Sequence, residues 1–177
     1  MRNNKTRQVA LSGLLFALAM ALSFMESAIT PLLGLIPGVK IGLANIVVMY
    51  ALFFMGFPQA LTLTVLKAFF VGLTRGATAG LLSLSGGLVS VLVMWLLYYH
   101  CPLRPTWFIL SVCGALSHNI GQLLGAGVII SSSLSFYYAP VMLVLGLVMG
   151  ALTSITLKAL LPALGKMGFS TQEKRGE

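Results

Sequence analysis

Between residues 8 and 161 the chain carries charge only at Glu26, Lys40, Lys67, Arg75, Arg104 and Lys158. The stretches between them are long and apolar. A backbone that lies in lipid must satisfy its own hydrogen bonds, which leaves helices and closed barrels as spanning structures. Run length decides between these two. A helical crossing takes about 20 residues and a barrel strand about half that, and the apolar runs here have helical length. Composition agrees, with 58% hydrophobic and 8% charged residues and a mean hydropathy of +1.00. Soluble domains have roughly a quarter of their residues charged, so this chain cannot cover a globular surface with solvated groups.

Six apolar segments follow: 8–25, 41–57, 59–74, 77–99, 106–130 and 138–161. They predict an all-α integral membrane protein, a six-helix bundle formed as one membrane domain over residues 1–165, with 166–177 as a polar tail. A signal peptide over 8–25 is a poor alternative, because no small-residue cleavage site follows cleanly and further apolar segments come after it. The connector 26–40, ESAITPLLGLIPGVK, carries Pro31, Gly34, Pro37 and Gly38, which break regular helix. It is also apolar, so it is expected to pack on the protein or dip into the membrane. Turns are expected at Gly56-Phe57-Pro58, at Thr74-Arg75-Gly76, at CPLRP (101–105) and at SSSLS (131–135). The segment 59–74 is short for a crossing, and a tilted, re-entrant or buried helix is expected there.

The formal net charge of +8 suggests nucleic acid only until its distribution is considered. Arg2, Lys5 and Arg7 precede the first segment, and Lys158, Lys166, Lys174 and Arg175 lie at or beyond the end of the last. Basic clusters flanking apolar runs are what the positive-inside bias produces. With both termini in the cytoplasm, the inner side also holds Arg104, and the outer side holds Lys40 and Arg75. Cys101 and Cys113 lie in different contexts and make no disulfide framework.

The few polar groups inside the segments each need a reason, because intramembrane charges are costly and face a cavity or a partner. Lys67, in TVLKAFF, lies about 12 Å from either end of its segment at 1.5 Å per residue, too deep for easy snorkelling. A ligand site and a structural ion pair with Glu26 account for it about equally well, and the two are compatible. Lys40 and Asn45 stand roughly 140° apart in helix phase. Lys40 is read either as an interfacial anchor or, with Arg75, as a cation at the mouth of the bundle. Lys40, Arg75 and the deeper Lys67 would then make a positive funnel for an anionic ligand. In segment five, Ser111, Ala115, His118, Gln122 and Gly125 recur at helical spacing with Asn119 beside them. A lone buried histidine is usually a satisfied core residue, but His118, Asn119 and Gln122 within two turns suit a lined cavity. A metal site is disfavoured because His118 has no second histidine or nearby carboxylate. Small residues at four-residue spacing in segments four (Gly80, Ser83, Gly87, Ser90) and six (Gly146, Gly150, Ser154) are read as close helix packing. Ala10, Gly13, Ala17 and Ala21 make a similar stripe on segment one. Trp95, Tyr98, Tyr99, Tyr137 and Tyr138 are read as interfacial aromatics.

The motifs PGVKIGLAN (37–45), TVLKAFFVGLTRG (64–76) and HNIGQ (118–122) resemble the Gx transporter family, also labelled heptaprenyl diphosphate synthase component I. That group in turn resembles the S components of energy-coupling factor transporters. The likeness runs over nearly the whole chain. It implies a six-helix S-component fold in a bacterial cytoplasmic membrane. It also implies a small-molecule substrate (a vitamin, flavin, quinone precursor or isoprenoid-like compound) bound near the outer face, beneath the loop after the first helix. Lys40, Asn45, Lys67, Arg75, His118, Asn119 and Gln122, with Glu26, would be the substrate-binding residues. The partners implied are membrane lipid and an energy-coupling module of one membrane coupling protein and two ATPases, docked on Ala10, Gly13, Ala17 and Ala21. The sequence calls for no cofactor, no metal and no nucleic acid.

The synthase label meets a chemical obstacle. Prenyl diphosphate synthases hold magnesium through aspartate-rich clusters, because the hard cation wants carboxylate oxygens. This chain has no aspartate, and Glu26 is its only acid before the tail. It is therefore read as no enzyme itself. The other readings are a non-catalytic membrane subunit beside a polyprenyl diphosphate synthase and a scaffold in a membrane redox or flavinylation complex. No GxxxxGK[ST] phosphate loop is present, so energised transport would need external ATPases.

Overall fold

The structure, a computed structural model, describes residues 2–32, 43–102, 105–130 and 139–166. Six helices occupy them: α1 (Arg2–Leu32), α2 (Leu43–Phe54), α3 (Phe57–Arg75), α4 (Ala77–His100), α5 (Trp107–Ile130) and α6 (Ala139–Lys166). Five of these are long and apolar enough to cross a membrane, and α2 is a shorter apolar helix. Their lipid-facing sides carry side chains such as Leu14, Leu73, Val128, Val144 and Ile155, all well exposed, while Glu26, Lys67, His118, Asn119 and Gln122 are buried. This inside-out distribution suits a solvent that is itself hydrocarbon. The chain is a multi-pass membrane protein.

Segment three is longer than expected, and segment two ends earlier than expected. The run 41–57 was expected to cross and 59–74 to fall short. Yet α3 is a full nineteen-residue helix, and α2 has twelve residues in the described structure. Gly56 causes this. It sits at φ 100°, a left-handed conformation that side chains with a Cβ avoid, and the chain turns there from α2 into α3. Pro58 in the first turn of α3 lacks the N–H that a helix start leaves unpaired in any case. Gly76, at φ 97°, ends α3 and starts α4 in a single residue. Helices α1 and α6 run further than expected, to Leu32 and Lys166, because the apolar helical pattern continues past residues 25 and 161. The first part of the 26–40 connector, Glu26 included, is therefore helix.

Helices α3, α4, α5 and α6 pack each on the next, α2 lies against α1, α3, α4 and α6, and α1 packs on α2 and α3. From Val47 to Phe54 every residue of α2 is buried. A helix that is apolar all round belongs in the centre of a bundle, and Phe53, Met49 and Leu52 fill that centre. At the α4–α5 turn end, Phe53 packs on Tyr98 and edge-on to Trp107, and Trp95 meets Phe57, Tyr99 and His100. Tyr98 is thus a core residue as well as part of an aromatic end group.

Glycines set the closest approaches. A Cβ on Gly80 would lie 2.7 Å from Gly72 Cα, and one on Gly150 would lie 2.6 Å from Val112 Cα. The small stripes of segments four and six are packing surfaces, as expected. Helix α1 differs, because Ala10, Gly13, Ala17 and Ala21 are all exposed and Gly13 has nothing within 4 Å of an added Cβ. Gly13→Ala is therefore expected to leave the unfolding midpoint unchanged or raise it, since alanine favours helix over glycine by roughly 0.5–1 kcal/mol. A clear loss of stability in thermal unfolding would contradict this assignment of the face.

Candidate functional site

Lys67 sits at 5% exposure on the inward face of α3. Its neighbours Val65, Leu66 and Phe69 turn to the lipid side, as the helical period requires. An ammonium stripped of water in such a place must regain its interactions from the protein. Its Nζ donates to Asn45 Oδ1 of α2 at 2.8 Å. Glu26 of α1 is also buried, and its carboxylate acts electrostatically on Lys67. Three helices thus contribute one polar focus. The pairing with Asn45 was not expected, because two polar residues 22 positions apart on different helices give no signal in sequence spacing.

Arg75 stands exposed at the end of α3 and donates from Nη2 to Ser23 O of α1 at 3.1 Å. Ser23 precedes Glu26 by about one helical turn. The cation therefore ties the α3–α4 turn to α1 just beside the polar focus. Lys40, the other expected outer cation, lies outside the described residues, as do Arg104, the SSSLS stretch, Tyr137, Tyr138 and the polar tail after Lys166.

The polar stripe of α5 divides between two neighbours. His118 and Gln122 face α4, where a Cβ on Gly86 would lie 3.0 Å from His118 Cε1 and 2.6 Å from Gln122 Cγ. Gln122 Oε1 is buried with no hydrogen-bond partner among the described residues. Asn119, one residue round the helix, faces α6 and donates from Nδ2 to Met142 O. The expected convergence of all three on one object is therefore not the arrangement found. The object before His118 and Gln122 is the α4 backbone at Gly86.

A cavity of about 20 Å³ lies between α2, α4, α5 and α6, bordered by Asn45, Ser90, Ser111, Asn119 and Thr153 and by Met49, Met94 and Met149. It joins the two polar regions, because Asn45 also holds Lys67 and Asn119 also holds α6. Lys67, His118 and Gln122 do not border it. Ser90 and Ser111 stood out in the sequence as members of small stripes. Thr153 and the methionines did not, because a methionine on an apolar face reads as ordinary core. The clue available for Thr153 was its phase, four residues after Met149 and seven after Gly146 on the buried face of α6.

The family model for heptaprenyl diphosphate synthase component I matches residues 15–160. The chain belongs to that family. The match takes in Glu26, Asn45, Lys67, Arg75, His118, Asn119 and Gln122, and the C-terminal part of α1 from Leu15, including Ala17 and Ala21; Ala10 and Gly13 lie before it. No curated protein and no solved structure matches the chain. The name of that family describes a component of a synthase.

Proposed function

We propose that this chain is the membrane-embedded binding subunit for a small, anionic, partly apolar molecule, working as an S component with an energy-coupling module. The observation that carries this is the Lys67 ammonium, sealed in an apolar bundle and held by the neutral Asn45. An acidic group on a ligand can replace the Asn45 amide on Lys67 and set an opposite charge against the ammonium where a neutral acceptor stands. Arg75 at the adjacent turn draws the same charge inward. The cavity beside Asn45 holds about one water, so seating a vitamin-sized molecule requires the helices around Asn45 to part. On this reading both termini are cytoplasmic, the α3–α4 turn faces outward, and the membrane is the bacterial cytoplasmic one. Lys40, His118, Asn119, Gln122 and Glu26 complete the site as it closes.

The exposed small-residue face of α1 supports the docking of a membrane coupling protein at Ala10, Gly13, Ala17 and Ala21, because side chains this small allow backbones to approach closely. Two ATPases would supply the energy. Gly13→Leu is expected to preserve folding and ligand response but to abolish co-purification with the coupling module.

Thermal-shift titration of the purified protein against flavins, quinone precursors and isoprenoid diphosphates tests the proposal. A ligand at 100 times its Kd should stabilise by about 2.7 kcal/mol. No shift with any anionic compound would refute it. The family description favours a second reading, a non-catalytic membrane partner of a soluble polyprenyl diphosphate synthase. The absence of aspartate leaves the magnesium site to that partner. Co-purification with a synthase, together with stimulation of its turnover and no ligand shift, would select this reading.

A further inference from the structure

The cavity between α2, α4, α5 and α6 has a hydrogen-bond inventory that its neighbours fix. Ser90 Oγ donates its one proton to Gly114 O at 2.8 Å, Ser111 Oγ to Trp107 O at 2.7 Å with Met49 Sδ as a longer second acceptor at 3.4 Å, and Thr153 Oγ1 to Met149 O at 2.7 Å. A hydroxyl has a single proton to give and two lone pairs, so all three oxygens remain as acceptors. Asn45 accepts from Lys67 through Oδ1, so its Nδ2 is left as a donor. Asn119 donates to Met142 O through Nδ2, so its Oδ1 is left as an acceptor. Chemistry fixes both amide orientations, since an ammonium needs an acceptor and a carbonyl needs a donor.

The wall therefore offers one amide donor and several oxygen acceptors around about 20 Å³. A water needs roughly 10–15 Å³ and two to four polar partners; the volume meets the first condition, and Asn45, Asn119 and the three hydroxyls can supply the second. A hard cation is opposed by the Lys67 ammonium behind Asn45, and no carboxylate borders the cavity. An anion would meet acceptor oxygens and no cation at the wall. We infer that this cavity is a built site for one ordered water that bridges Asn45 Nδ2 and Asn119 Oδ1. The bridge completes a hydrogen-bonded chain from Lys67 on α3, through Asn45 on α2 and Asn119 on α5, to the Met142 carbonyl on α6. Whatever alters the hold of Asn45 on Lys67 is thereby felt at the α5–α6 contact. The inference stands independently of what the protein binds.

Three thioethers border the water and serve as its reporters. X-ray radiolysis of the intact, detergent-solubilised protein generates hydroxyl radicals from bound water, and a neighbouring methionine is oxidised to its sulfoxide. Met49, Met94 and Met149 should be labelled faster than Met55 and Met142, which are buried to a similar degree but do not border the cavity. Ala115→Val places methyl groups in the cavity without removing a hydrogen bond, and Thr153→Val removes one acceptor at constant size. Both should reduce the excess labelling, Ala115→Val to the level of the controls. Labelling no faster than at Met55 and Met142, or an excess unchanged in both variants, would overturn the water site. Stoichiometric copper in the purified protein would do so as well, because thioether sulfurs also suit a soft monovalent cation.

Discussion

Lys67→Met is expected to destabilise the protein by about 3–5 kcal/mol, the usual effect of removing one partner from a buried ionic group. The loss has two sources. The buried Glu26 side chain loses the nearby ammonium, and Asn45 Oδ1 loses its donor. Glu26→Gln should be costly too, since it removes the opposite charge from a buried lysine. The double variant Lys67→Met/Glu26→Gln should recover much of the stability, because replacing both ions with neutral groups of similar volume is often close to neutral. The two substitutions should therefore be strongly non-additive in equilibrium unfolding, as expected for residues that share one interaction. Additive losses would show that Glu26 and Lys67 act separately. The double variant also separates structure from binding. If the focus serves only the fold, the recovered protein keeps any ligand response of the parent. Under the proposed function it folds and the response to anionic ligands disappears.

The second large effect is expected at the helix contacts. Gly150→Ala puts a Cβ 2.6 Å from Val112 Cα, and Gly80→Ala puts one 2.7 Å from Gly72 Cα. In each case the obstructing atom belongs to backbone, so no rotamer change relieves the clash and the helices must move apart. Overpacking of this kind costs about 1–3 kcal/mol and sometimes more. In a membrane the loss should be felt fully, because close van der Waals contact is a main source of helix association there. Unfolding of Gly150→Ala and Gly80→Ala beside Gly13→Ala, in one detergent, checks the contrast. Equal stability in all three would mean that the α5–α6 and α3–α4 approaches are looser than described.

Much of the fold could be read from the sequence, for a physical reason. Apolar length marks a crossing, and the turns at Gly56 and Gly76 stood out through glycine beside a proline or a cation. Lys67 was marked as a functional candidate by depth alone. What could not be read is which polar group meets which. In a water-soluble helix the apolar stripe reveals the inner face. In α4 or α6 both faces are apolar, so only small and hydroxyl residues mark the inside, and they do not name the neighbour they touch. His118 and Gln122 illustrate this. Their spacing correctly placed them on one face, and only the fold shows that the face meets Gly86. Asn45 illustrates the same limit: the sequence marked it as a candidate, and only the fold shows that it links Lys67 to the central cavity.

The enclosure of α2 bears on how the protein is made. Its final neighbours include α4 and α6, which are synthesised after it. The N-terminal third must therefore wait in a provisional state, beside α1 or in the insertion machinery, until the rest of the bundle arrives to enclose it.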